Sequence, residues 1–177
     1  MTGNVYGEAL YDLAKAEGLS EQILQQLQVL KGCFEDAHDF LRLLASPNLT
    51  KQERCAVLDE SFRDKVHPYV LNFLKILTEK GYAKQFSACV AAYQEHYNED
   101  NGILPVTAVT AVALTDGQTQ KLTQKLSQLT GKTVELTNRI DPAVLGGIRL
   151  DYSGKRLDDT AAHRLADICE KLENTVL

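Results

Sequence analysis

Residues 146–160 read GGIRLDYSGKRLDDT, with three glycines and a Gly-Lys pair. A phosphate-cradling loop needs two glycines with four residues between them, then Lys and a hydroxyl residue that reaches Mg²⁺. Here six residues separate Gly147 from Gly154, and Lys155 is followed by Arg156. No G-x-G-x-x-G fingerprint occurs either, so nucleotide binding at this stretch is not expected. A structural role fits better. Gly146-Gly147 suits a bulge or a close backbone approach at a strand start. Ser153-Gly154 suits a tight hairpin turn. Asp158 and Asp159 are placed to cap a final helix and to favour its positive end.

Upstream of this stretch the pattern is mixed. ILPVTAVTAVALT, from Ile103, is rich in Val, Ile and Thr and predicts a strand. Asp116 to Leu129 predicts an amphipathic helix on Leu122, Leu126 and Leu129, closed by Gly131. TVELTNRI predicts a second strand, with Asn138 a weak member of its apolar alternation, and Asp141-Pro142 a turn. LGGIRLDY predicts another strand. The last helix, from about Asp158, carries Leu165, Ile168, Cys169 and Leu172. Residues 102–177 therefore read as a small α+β domain.

Before Gly102 every strong pattern is helical. Tyr6, Ala9, Leu10, Leu13 and Ala14 recur at helical spacing, and Gly18 stops that helix. Ser20-Glu21 opens a second helix on Ile23, Leu27, Leu30 and Phe34. A short one follows from Phe40 to Leu44. Thr50 and Glu53 form a capping box for the next, with Cys55, Leu58 and Phe62. Pro68 begins a helix with a wide apolar surface on Val70, Leu71, Leu74, Ile76 and Leu77, ended by Gly81. The last runs from Tyr82 to about Asn98. Residues 1–101 thus predict an all-α six-helix bundle.

Composition excludes several function classes. The 177 residues are 44% hydrophobic and 24% charged, ordinary for a folded globular chain. Residues 1–101 carry 10 Lys+Arg and 15 Asp+Glu, residues 102–177 carry 9 of each, so the net charge of −5 lies wholly in the helical half. That balance argues against nucleic acid as a partner. No run approaches the length of a membrane span. The start, Met1-Thr2-Gly3-Asn4, lacks a basic region before an apolar stretch, so no signal peptide is expected. Cys33, Cys55, Cys89 and Cys169 show no paired or zinc-like spacing and read as reduced, mostly buried thiols. His38, His67, His96 and His163 are equally scattered, and Glu95-His96 reads as surface polarity. With no nucleophile elbow and no convergent titratable cluster, an enzyme is not expected, and no cofactor, metal or small-molecule substrate is implied.

The stretch DPAVLGGIRLDYSGKRLDDTAAHRL resembles the C-terminal signature of the delta subunit family of bacterial F-type ATP synthase, relatives of the mitochondrial oligomycin-sensitivity-conferring protein. Asp141, Pro142, Gly146, Gly147, Ile148, Leu157, Asp158, Arg164 and Leu165 carry it. Upstream, VYGEALYDLA, SPNLTKQER, NFLKILTEKGY and YNEDNGILPVTAVTAVALT are similar to the family's successive segments, so the resemblance spans nearly the whole chain. Asn4-Val5 stands where the family usually has Arg-Pro, Gly7 where it has Ala, and Asp159 where it often has Gly or Asn.

The resemblance implies a non-catalytic stator subunit, held peripherally at the cytoplasmic face of a bacterial membrane. Residues 1–101 would bind the catalytic head through the α subunit's N-terminal helix, and residues 102–177 the C-terminal end of the peripheral stalk's b subunits. Carried over by motif, the α-helix groove between the family's first and fifth helices falls on Tyr6, Ala9, Leu13, Asn72 and Ile76. The stalk contact falls on Leu165, Ile168 and Leu172. Periodicity alone reads Tyr6, Ala9 and Ile76 as bundle core. The other reading of the residues is a helical adaptor that takes an amphipathic peptide helix in a different complex.

Overall fold

The structure, a computed structural model, describes residues 2–36, 40, 49–161 and 163. The chain divides into two compact units, Met1–Tyr97 and Asn98–Leu177.

The first unit is helical. Helix α1 spans Thr2–Ala16, α2 Ser20–Asp36, α3 Lys51–Phe62, α4 Pro68–Glu79 and α5 Phe86–Asp100, the last preceded by a 3₁₀ turn at Ala83–Gln85. The short helix expected at 40–44 lies, Phe40 apart, outside the described residues. Local chemistry explains the helix starts. The Thr50 hydroxyl accepts from Glu53 N, and the Glu53 carboxylate accepts from Thr50 N at 2.8 Å, a reciprocal cap for α3. The Thr50 N–H, with the Thr50 hydroxyl also donating to it, holds the Glu53 carboxyl below the usual carboxylate range. Helix α4 starts on Pro68, with His67 Nδ1 accepting from Tyr69 N at 3.3 Å and Gln26 Oε1 accepting from His67 N at 2.7 Å. That second bond ties the start of α4 to α2.

One apolar core joins all five helices. Leu10 and Ala14 of α1, Ile23 and Leu27 of α2, Leu58 of α3, Val70 and Leu77 of α4, and Phe86 and Val90 of α5 are buried in it. Tyr93 is fully buried, yet its hydroxyl donates to Ser20 O at 2.9 Å, so burial leaves no polar group orphaned. Between α3 and α4, Lys75 Nζ lies 2.7 Å from Asp59.

The expectation of mostly buried thiols fails. Of the described cysteines, Cys33 is exposed, Cys55 half-buried and Cys89 buried. Cys33 sits in an apolar-looking step of α2, but that step lies off the stripe of Ile23, Leu27, Leu30 and Phe34 that faces the core.

The second unit is α+β. Strands β1 Ile103–Thr110, β2 Thr133–Ile140, β3 Ile148–Tyr152 and β4 Lys155–Asp158 form one sheet of order β2-β1-β3-β4, with α6, Asp116–Thr130, between β1 and β2. β1 and β2 are parallel, and the other pairs antiparallel. Leu104, Val106 and Ala108 of β1, Val134 of β2 and Leu150 of β3 are buried, with Leu122 and Leu126 of α6 packed on them. Leu129, expected on that same face, is 75% exposed. It falls in the last turn of α6, past the sheet-facing residues, where Gly131 (φ 68) closes the helix.

Asn138 is the polar pin of this core. Its Nδ2 donates to Ala108 O and Thr110 Oγ1, and its Oδ1 accepts from Leu114 N, each at 2.9 Å. The residue sits on the inward face of β2 opposite Ala108, which is why it stands in an otherwise apolar alternation. Its bonds fix the loop that leads from β1 into α6.

The 146–160 stretch has the expected strand pair. Ser153 (φ 45) and Gly154 (φ 72) form a two-residue turn with both φ positive, joining Tyr152 to its partner Lys155. The helix cap differs from expectation. Asp158 ends β4, and the cap is Thr160, whose hydroxyl accepts from His163 N at 3.1 Å. Ala161 and His163 are helical, and the rest of the expected final helix lies outside the described residues.

Candidate docking groove on the helical unit

The way α1 packs decides which of its residues stay free. Gly7 lies directly against α5: a Cβ there would collide with the carbonyl of Cys89 and with the Ala92 side chain. The missing methyl lets the two helices approach. Leu10, Tyr11 and Ala14 are buried on the same side, and the Tyr11 ring meets the Tyr93 ring edge-on at 5.3 Å. His96 stacks on Tyr11 from α5, half-buried, so it is more than surface decoration.

With that side committed, Val5, Ala9 and Leu13 fall on the outside at i, i+4 and i+8. Val5 is 63% exposed and Leu13 43%, and Ala9 is exposed between them. On α4, Val70, Leu71, Phe73, Leu74, Leu77 and Thr78 are buried. Asn72 and Ile76, one turn apart, are exposed, Ile76 by 45%. Tyr6 is half-buried against the core, its ring 5.9 Å from that of Tyr82, just beyond the end of α4. The contact ties the first turn of α1 to the end of α4.

Of the positions expected to line a groove, Ala9, Leu13, Asn72 and Ile76 therefore lie on the surface, and Tyr6 at its edge. The core reading that periodicity favours for Ala9 and Ile76 is overturned. Six core residues already occupy the inner face of α4, leaving no room for Ile76 there. Two neighbours of these positions were not singled out in the sequence: Val5, exposed in line with Ala9 and Leu13, and Tyr82, against Tyr6. The 5-9-13 spacing was the signal for Val5. Nothing in the sequence pairs Tyr82 with Tyr6. Leu165, Ile168 and Leu172 lie outside the described residues.

Val5, Leu13 and Ile76 expose apolar side chains, with the Asn72 amide exposed one turn from Ile76 and the Tyr6 phenol half-buried. Among the described residues no set of three His, Cys, Asp or Glu side chains stands close enough to hold a metal ion. The shifted titrations have structural causes. Hydrogen bonds from the Thr160 side chain and backbone hold Asp158 below the usual carboxylate range. The Arg156 guanidinium, bonded to Asp151 at 2.9 Å, does the same for that carboxyl, with Arg149 adding to it. Among the described residues no helix is long and apolar enough to cross a membrane.

A family model described as "ATP synthase delta (OSCP) subunit" matches residues 3–172. This chain belongs to the ATP synthase delta (OSCP) subunit family. The "ATP synthase subunit delta" of Alkaliphilus oremlandii (strain OhILAs) is 31% identical over 172 residues, covering 97% of this chain and 96% of the relative. That of Synechococcus elongatus is 30% identical, covering 92% and 91%. A chain of the structure titled "Cryo-EM structure of Toxoplasma gondii mitochondrial ATP synthase hexamer, composite model" superposes with a TM-score of 0.79 at 22% identity, covering 97% of each chain, and so shares the fold. As a member of the delta/OSCP family the protein is a non-catalytic stator component of F-type ATP synthase. It is a peripheral part of that complex.

Proposed function

We propose that the two units hold the two ends of the stator joint. The helical unit receives the N-terminal amphipathic helix of an α subunit across α1 and α4, on Val5, Tyr6, Ala9, Leu13, Asn72 and Ile76. The α+β unit, with residues 164–177, holds the C-terminal end of the b subunits. Placed so, at the cytoplasmic face of the membrane, the protein resists the torque of the central shaft, and proton flow is coupled to ATP synthesis.

The observation that carries the reading is the pair of outward stripes, 5-9-13 on α1 and 72-76 on α4, left over after a complete core has formed beneath them. Val5, Ala9 and Leu13 at one-turn spacing on α1, with Ile76 beside Asn72 on α4, match the helix-in-groove mode of recognition. Ala9 keeps the wall low enough for a visiting backbone to come close. Asn72 can donate to or accept from the guest, and the Tyr6 phenol can meet a polar group at the rim.

Removal of residues 164–177 from the full chain tests the division of labour. Calorimetry is expected to find the α N-terminal peptide bound with unchanged affinity and the b-subunit peptide not bound. Retention of both would refute the assignment of the stalk to the second unit.

A further inference from the structure

Where β4 ends, the chain is held from several directions at once. Asp159 N donates to Ile148 O at 3.1 Å, and Ala161 N donates to Gly146 O at 2.9 Å. The two acceptors flank Gly147 and the two donors flank Thr160, so these residues face each other across a short extension of the β3–β4 ladder. Thr160 is 3% exposed; its N–H donates to Asp158 Oδ1 at 3.1 Å, and its hydroxyl accepts from His163 N at 3.1 Å. Gly147 has φ +80, and a Cβ there would stand 2.5 Å from Asp159 O and 3.1 Å from Thr160 Cα. Gly146 differs: its φ is not positive, and a Cβ would meet only the Ala161 methyl at 4.0 Å.

We propose that this cluster is a clamp that sets the direction in which the chain leaves the sheet at Thr160, and that stalk binding depends on it. Gly147 and Thr160 are then positioning residues for the stator contact. The inference rests on the reading that residues 164–177 contribute to stalk binding. Sheet formation does not require this arrangement. The β1–β2 ladder and the α6 core are built from other residues, and β3–β4 pairing is already complete at Arg149 and Asp158. What the extra bonds fix is the start of the helix: two backbone bonds lock the residues on either side of Thr160, and the Thr160 hydroxyl occupies the cap position. A hydrogen in place of a methyl at position 147 lets the two backbones meet.

Full-length variants test the clamp in matched pairs: Gly147→Ala against Gly146→Ala, and Thr160→Val against Thr160→Ser. The probes are a peptide of the C-terminal end of the b subunit, a peptide of the α subunit N-terminus, and amide exchange followed by NMR. Gly147→Ala and Thr160→Val are expected to weaken b-peptide binding by about tenfold or more, the scale set by a lost buried hydrogen bond. Gly146→Ala and Thr160→Ser are expected to bind as the parent does, because the first has space and the second keeps the hydroxyl. All four should keep α-peptide affinity and the exchange protection of β1 and β2. Parent-like b binding by Gly147→Ala and Thr160→Val overturns the proposal, as does equal damage from Gly146→Ala. Loss of β1 and β2 protection in the damaging variants also overturns it, since these residues would then hold the sheet. Should the parent chain fail to bind the b peptide, the stalk reading falls by itself. The clamp is then judged by the Ala161 amide: faster exchange in Gly147→Ala alone supports it, and equal exchange in both glycine variants overturns it.

Discussion

The rings of Tyr6 and Tyr82 lie 5.9 Å apart, inclined at 50°. Tyr6 belongs to the first helix of the chain and Tyr82 follows the fourth described one, so this contact closes the helical unit between its distant parts. On the proposed reading, one guest helix spans the outer stripe of α1 and that of α4. Each stripe alone would be ordinary surface, because scattered exposed apolar residues are common. The proposed groove takes the two stripes, linked through this aromatic pair, as one surface.

Ala9→Asp is therefore expected to leave the unit folded and to weaken the α N-terminal peptide. Ala9 is exposed, so the carboxylate stays hydrated in the free protein. In the complex it is desolvated without a partner, at a cost of about 2 kcal/mol or more. Calorimetry with the peptide and a thermal melt by circular dichroism separate the two effects. Parent-like affinity would remove Ala9 from the interface, and a collapsed melting temperature would return it to the core.

Gly7→Ala makes the opposite test, of packing without exposure. Alanine favours a helix over glycine by about 1 kcal/mol. Here the added methyl meets the Cys89 carbonyl and the Ala92 side chain, and neither is a flexible tip that can swing away. The net result is expected to be destabilisation of about 1–3 kcal/mol, read as a lower urea midpoint. A stabilised variant would show that α1 and α5 can separate cheaply.

How far these features were legible follows from the range of the interactions behind them. Thr50-Glu53, Pro68 and Ser153-Gly154 act over three residues or fewer, and the sequence displays them directly. The equivalent box at Thr115 and Gln118, which starts α6, carries the same spacing and was there to be read. Burial was harder. The apolar positions of α1 fit one helical stripe, yet the contact of Gly7 with Cys89 turns the helix so that Ala9 and Leu13 face outward. A long-range backbone contact decides that rotation, and periodicity within one helix does not record it. The thiol expectation failed for a different reason: Cys33 lies off the core-facing stripe of α2, and an apolar neighbourhood in sequence does not place a residue on that stripe. Thr160 takes the cap because its hydroxyl reaches His163 N, while Asp158, the last residue of β4, accepts from Thr160 N just ahead of it. The partners came from the resemblance alone, since a docking stripe does not name its guest.

Asn138→Ala tests the amide built into the sheet's inner face. It removes bonds to Ala108 O, Thr110 Oγ1 and Leu114 N and leaves the Thr110 hydroxyl, itself buried, with a single remaining bond to Val112 O. A loss of about 2–3 kcal/mol from the α+β unit is expected. Amide exchange should accelerate most at Leu114, while α1 to α5 keep their protection. A uniform change over both units, or none at Leu114, would contradict the local role.

The cysteines give a prediction with a pH axis. Cys33 is exposed, Cys55 half-buried with its Sγ 3.7 Å from Glu79 Oε1, and Cys89 1% exposed. Burial pushes the Cys55 thiol up, with the Glu79 charge adding to it, and burial pushes Cys89 from 9.0 to about 11. The thiolate is the reactive form, so iodoacetamide should label Cys33 first, Cys55 more slowly and Cys89 only after unfolding. Mass spectrometry of the peptides orders them. The raised value also fixes a sign. The folded chain holds the Cys89 proton more tightly than the unfolded chain, so the thiol's contribution is fully present below pH 9 and is lost as pH climbs toward 11. Cys89→Ala removes that contribution. It should flatten the alkaline fall in urea stability of the helical unit relative to the parent, and leave the curve below pH 8 parallel to it. An alkaline limb as steep in Cys89→Ala as in the parent would show that other groups carry the titration, and early labelling of Cys89 would show that α1 and α5 part readily.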